Sequence, residues 1–277
     1  MKFAICNEIY HQAGWDLERA FRHAAEVGYN AIEIAPFTIT PYVTDIPTHQ
    51  RQEIRRLAET NGLEISGIHW VLVQTEGLHL THPDPQIRER TSSYFVELVR
   101  FCHDLGGRFI ILGSPKQRNL LEGVSWEQGA AWAREVLASA VHEAEDKGVT
   151  LCIEPLSPAE TNFINTAEEA IRFIQTLPSP ALRIMLDVKA MASEGRPIPE
   201  IIRSAWPHFA YFHANDANLK GPGFGDTDFR PIAQALHEVG YDGFVSVEVF
   251  RFEEGPDLIA RRSLEYLKSV FEEPRKG

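Results

Sequence analysis

The chain reads as an α/β protein, a single (β/α)8 TIM barrel. Three observations predict this. Four short apolar runs, TLCIE, RIMLD, FAYFH and FVSVE, end on Glu154, Asp187, His213 and Glu248. The steps of 33, 26 and 35 residues between those end positions each hold one strand and one helix. The length, 277 residues, is close to the roughly 250 typical of one such barrel, so residues 1–277 are taken as one domain.

The remaining elements follow in order. Residues 3–8 read as the first strand. The helix 15–28 places Leu17, Ala20, Phe21, Ala24 and Val27 on one face and stops at Gly28. A strand at 31–35 leads through a Pro- and Thr-rich loop to a helix at 49–61. The third strand is 63–70, and a long loop, 73–84, follows it. Pro85 opens a helix at 86–105, which stops at Gly106-Gly107. Strand 108–115, a polar loop at 116–124 and a helix at 125–147 come next. The strand 150–154 precedes a helix at 167–177 capped by Thr166. Strands 183–187, 209–213 and 244–248 alternate with helices near 198–205, 230–239 and 256–271, and the tail EEPRKG is expected to fray. With Glu154, Asp187 and Glu248 pointing into the barrel, strand alternation turns Cys152, Met185 and Ser246 inward too. It sends Leu151, Ile153, Ile184, Leu186, Val245 and Val247 toward the helices.

Composition narrows the function. A formal net charge of −12 argues against nucleic acid and against a membrane surface. Three scattered cysteines, Cys6, Cys102 and Cys152, read as buried thiols rather than a disulfide framework. The N-terminus runs straight into a strand without an apolar signal segment, and no apolar stretch reaches the ~18 residues of a membrane span, so the cytoplasm is the expected location.

Alone, a strand-end Glu or His reads as a solvated or hydrogen-bonded residue. Four in consecutive strands, at the end where barrels keep their chemistry, read as one metal site. Three carboxylates and an imidazole suit one divalent ion, Mn²⁺ first, with Mg²⁺ or Co²⁺ as alternatives. Such an ion, chelating a carbonyl and a neighbouring hydroxyl, acidifies the C–H between them and stabilises the resulting enediolate. Glu154 and Glu248 then flank the substrate as acid and base. Glu8, Glu33 and His69 end the first three strands and face the same mouth. His69 and Trp70 suit sugar hydroxyls and a pyranose face, and Lys116 is a candidate for an anionic group. The glycine-rich loop GPGFGD either cradles substrate or simply turns tightly.

Beyond the strand ends, the runs IEPLSPAETNFINT (153–166), LDV (186–188), HANDANLKGPGFGDTDF (213–229) and SVEVF (246–250) resemble the xylose-isomerase-like barrels of the sugar phosphate isomerase/epimerase family. That family includes the ketose 3-epimerases, and the resemblance spans nearly the whole chain. It implies that Glu154, Asp187, His213 and Glu248 bind Mn²⁺ or a similar ion, with Glu154 and Glu248 as the catalytic pair. It implies that Glu160 hydrogen-bonds and orients Glu154, and that the chain forms a homodimer or homotetramer. Two positions depart. Where those epimerases carry a substrate-contacting His and Arg, this chain has Ala190 and Leu219, and the neighbouring Lys189 and Lys220 are the candidates to take over.

The expected function is a metal-dependent isomerase or epimerase of a ketose or keto-polyol. The alternative is a dehydratase or lyase of a keto-polyol or cyclic keto acid, which shares the enediolate and then expels a β-hydroxyl. An apurinic endonuclease needs more histidine ligands than a chain with Ala190 and Phe229 offers. A non-catalytic sugar-binding subunit does not need both glutamates.

Overall fold

Strand residues divide between two apolar layers, and this division shapes the molecule. Ala31, Ile111, Cys152, Met185, Tyr211 and Phe244 pack together along the barrel axis. Leu151, Ile153, Ile184, Leu186, Val245 and Val247 pack outward against helices. Side chains of period two, buried on both faces, are what a parallel sheet sheathed in helices requires. The computed structural model describes residues 1–272. In it, eight parallel strands close in chain order: β1 Lys2–Cys6, β2 Ala31–Ile34, β3 Glu64–Ile68, β4 Phe109–Leu112, β5 Thr150–Ile153, β6 Leu182–Asp187, β7 Phe209–Ala214 and β8 Phe244–Val247. Pairing of β1 with β8, from Lys2 opposite Phe244 to Ile5 opposite Val247, completes the ring.

The outer layer comprises α1 Glu8–His11, α2 Leu17–Val27, α3 Thr48–Thr60, α4 Pro85–Asp104, α5 Trp126–Lys147, α6 Ala167–Ile174, α7 Val188–Ala192, α8 Ile198–Ala205, α9 Phe229–Glu238 and α10 Pro256–Phe271. Their starts follow local chemistry. Asp16 and Thr166 accept from backbone N–H groups at the starts of α2 and α6, and Ser125 with Gln128 forms a reciprocal cap on α5. Gly28 ends α2 in the left-handed conformation. Among the described residues no helix is long and apolar enough to cross a membrane.

Several boundaries differ from expectation. The third and fourth strands stop at Ile68 and Leu112 rather than at 70 and 115. Trp70 has φ +53, which breaks the extended run, and Pro115 lacks the N–H a ladder needs. The first strand stops at Cys6, because Asn7 starts the short helix α1. The helix α7 was also not anticipated. Asp187, at the end of β6, accepts from the Ala190 N–H at 2.7 Å and so starts a helix at once. Of the tail expected to fray, residues 273–277 lie outside those described.

One contact fixes the spacing of β3 and β4. A Cβ at Gly67 would lie 2.0 Å from the backbone oxygen of Phe109. Backbone cannot give way as a side-chain tip can, so Gly67→Ala is expected to destabilise the protein by about 3 kcal/mol, read as a lower midpoint in urea unfolding with unchanged slope.

Candidate active site

Consecutive strands bring four polar residues to the C-terminal mouth. Asp187 and His213 sit opposite each other in the pairing of β6 with β7, while Glu154 and Glu248 directly follow β5 and β8. All four are buried. One ligand atom from each lies within 4.8 Å of the others. His213 Nδ1 is 3.2 Å from Glu248 Oε2 and 4.0 Å from Glu154 Oε1. Neither His213 Nδ1 nor Glu248 Oε2 has a hydrogen-bond partner. Buried polar atoms are rarely left so, and two that face each other among carboxylates suit a divalent cation. Gly113, just past β4, makes room for this cluster, since a Cβ there would fall 1.7 Å from Glu154 Oε2.

Surrounding groups set the orientation of each. Both Glu33 carboxylate oxygens lie against His213 Nε2, at 3.1 and 3.2 Å, leaving Nδ1 toward the cluster. Tyr211 donates to Glu33 at 2.7 Å. Asp187 accepts from the Asn215 side chain, whose own oxygen accepts from the Lys189 N–H at 2.8 Å. Glu248 Oε1 accepts from the Trp70 indole N–H at 2.9 Å.

The charges are unevenly held. Burial and the neighbouring Glu248 raise the Glu154 carboxyl to about 8. Burial also acts on Glu248, but His213 outweighs it and holds that carboxyl below its ordinary range. Burial pulls His213 down, yet Glu33 and Glu248 together raise it well above an ordinary imidazole. In the same way burial is outweighed at Glu33, where His213 and His69 lower the carboxyl to about 2. Protons on His213 and Glu154 thus supply positive charge that a cation would otherwise bring.

A pocket opens at the cluster, lined by Glu154 and Glu248 together with Trp70, Leu156, Lys189 and Phe250. His69 lines it too, with Nε2 on Glu8 Oε2 at 2.9 Å. Glu33 does not reach it: the residue is fully buried behind His213 and His69. The resemblance implied a bond from Glu160 to Glu154, but Glu160 borders the pocket with its carboxylate turned to other partners. Its carboxylate is taken by Lys189 Nζ at 2.7 Å and the Ser157 hydroxyl at 2.7 Å, cationic and neutral donors that a second carboxylate cannot match. Lys189 lines the pocket, whereas Lys116 is exposed and Lys220 pairs with Glu253 and Glu254 instead. Local acids, not the pocket, claim the Lys220 charge. The loop GPGFGD turns tightly: a Cβ at Gly225 would collide with the Asp216 carboxylate.

Arg118 was not anticipated. It is buried and donates to the carbonyls of Leu112 at 3.1 Å and Glu154 at 2.6 Å, tying the ends of β4 and β5 together. Nothing in a polar loop marks one arginine as buried. Asn215 and Phe250 lay inside the runs HAND and SVEVF, but only their neighbours were singled out.

A closed eight-stranded parallel barrel with a carboxylate–imidazole cluster at its C-terminal mouth defines a TIM barrel with a candidate metal site. Within that class, the chain belongs to the xylose isomerase-like TIM barrel family, whose profile matches residues 21–270. D-psicose 3-epimerase of Ruminiclostridium cellulolyticum is 27% identical over 249 residues, covering 87% of this chain and 81% of the relative. Fructoselysine 3-epimerase of Shigella flexneri is 24% identical over 270 residues, covering 94% and 95%. A crystal structure of D-psicose 3-epimerase in the presence of D-fructose matches with a TM-score of 0.85 at 22% identity, over 98% of this chain and 99% of its own, a likeness of fold.

Two outcomes are expected of this electrostatic arrangement. Between the ordinary carboxyl value of 4.5 and about 8, the unfolded chain has released a Glu154 proton that the native chain keeps, so this group's contribution to stability falls as pH rises. Melting of the metal-free protein, followed from about pH 5 to pH 8, should therefore decline more steeply for wild type than for Glu154→Gln. Because Glu33 orients His213, Glu33→Gln should weaken Mn²⁺ binding about 10- to 100-fold by calorimetry.

Proposed function

We propose that the protein is a divalent-metal-dependent isomerase that epimerises a ketose or keto-polyol by moving a proton next to a carbonyl. The observation that carries this is the pair of buried glutamates, Glu154 and Glu248, which line one pocket and belong to the same carboxylate–imidazole cluster. The relatives named as ketose 3-epimerases support the same reading.

Glu154, Asp187, His213 and Glu248 would hold the ion, with Mn²⁺ favoured by their oxygen-rich set and Mg²⁺ or Co²⁺ as alternatives. When bound, it supplies Lewis acidity, drawing charge from paired substrate oxygens and weakening the C–H bond between them. Glu248 takes the proton, its carboxylate fixed by the Trp70 N–H. Glu154 gives one back from the other side of the pocket, so the centre inverts while atoms and charge balance. The Arg118 contact to the Glu154 carbonyl holds that carboxyl's backbone in place. Leu156, Trp70 and Phe250 shield the reacting carbon from bulk water.

The test is solvent exchange. In D₂O, with Mn²⁺ present, deuterium should enter the substrate next to its carbonyl without loss of water. Glu154→Gln and Glu248→Gln should each slow this by at least about 1,000-fold, with melting temperature and Mn²⁺ content measured alongside. Loss of water with an enone absorbance would instead favour a dehydratase.

A further inference from the structure

The pocket walls carry few uncommitted hydrogen-bonding side chains. The Trp70 N–H is spent on Glu248, and His69 has Nε2 on Glu8, while its Nδ1, 3.4 Å from Glu33 Oε1 and without a hydrogen bond, is buried on the Glu33 side. Ala190 is buried and gives its backbone N–H to Asp187, while the Leu219 side chain is exposed and apolar. What remains above the cluster is one polar wall, the Lys189–Glu160 pair at 2.7 Å, and an apolar remainder. That remainder includes two aromatic rings, Trp70 and Phe250, with centroids 6.2 Å apart and planes at 54°. Lys189 Nζ rests 4.0 Å from the Phe250 ring centroid, so aromatic and polar walls are fastened together.

Such walls suit one kind of sugar. An open-chain ketose enters with hydroxyls along its whole length and several free rotors. Each hydroxyl buried without a partner is costly, and each rotor frozen adds to the loss. A six-membered ring has its rotors locked already. It offers a flat C–H face to aromatic walls and gathers its hydroxyls at the rim. We propose that the site takes a ring-locked keto-sugar or keto-cyclitol, a pyranose or cyclohexane ring bearing a ketone beside a hydroxyl, with Trp70 and Phe250 against the ring and the Lys189–Glu160 pair holding rim hydroxyls. This rests on the epimerase reading above and names its substrate class.

The experiment compares probes on the Mn²⁺-loaded protein in D₂O by NMR: methyl 3-keto-β-D-glucopyranoside and 2-keto-myo-inositol against D-fructose and D-psicose. Exchange into at least one cyclic ketone should exceed that into either open-chain ketose by ~100-fold, the equivalent of about two unpartnered hydroxyls. Phe250→Leu should raise KM for that cyclic ketone about tenfold with kcat little changed, and Phe250→Tyr should restore it. Open-chain ketoses exchanging as fast as the rings, or faster, would overturn the ring assignment and leave the epimerase reading standing. Exchange into none of the four would remove both.

Discussion

Carboxylates crowd beneath the mouth of this barrel with too little positive charge beside them. Glu8, Glu33, Glu154, Asp187 and Glu248 are all buried, and the cationic groups set among them are His69, His213 and Lys189. Stripping an ionised carboxylate of water costs several kcal/mol unless a partner offsets it. The surroundings answer that need by holding protons on His213 and Glu154 and by drawing Lys189 onto Glu160. A divalent cation offsets the same charge more fully. The site is therefore best understood as an electrostatic demand that the fold creates and only partly meets.

The demand is built into the backbone rather than laid upon it. Asp187 both faces the cluster and starts α7, so its position is tied to a helix. The Glu154 carbonyl is held by Arg118, a guanidinium whose affinity for its proton is lowered by burial to about 10. Gly113 leaves the space that the Glu154 carboxylate fills. Geometry at the carboxylate–imidazole cluster thus depends on main-chain features of three adjacent strands, which suits chemistry that tolerates little displacement.

Much of this was readable from residues alone. The barrel was legible because strand alternation and β/α spacing are local signals, and the interior and exterior layers separate at Cys152 and Leu151 as alternation requires. The four strand-end residues were legible for the same reason: a strand end fixes direction. Loop side chains were not. Glu160, Lys116 and Lys220 lie where many backbone paths fit one sequence, and their partners, Lys189, solvent and Glu254, are decided by tertiary neighbours. Arg118 is the sharpest case, since arginine in a polar loop is ordinarily solvated. Glu33 was placed on the right strand, but its depth behind His213 depends on the far side of the barrel.

Trp70 joins two properties that an engineer would wish to keep apart. Its left-handed backbone swings the indole across the mouth, where the nitrogen steadies Glu248 while the ring forms part of the wall. Any replacement chosen to admit a bulkier guest also loosens Glu248, the residue proposed to take the proton. Redesign of selectivity therefore has more freedom at Phe250, whose ring bears on Lys189 and makes no direct bond to either glutamate. Selectivity and the proposed proton transfer are thus coupled on the Trp70 side of the entrance and separable on the Phe250 side.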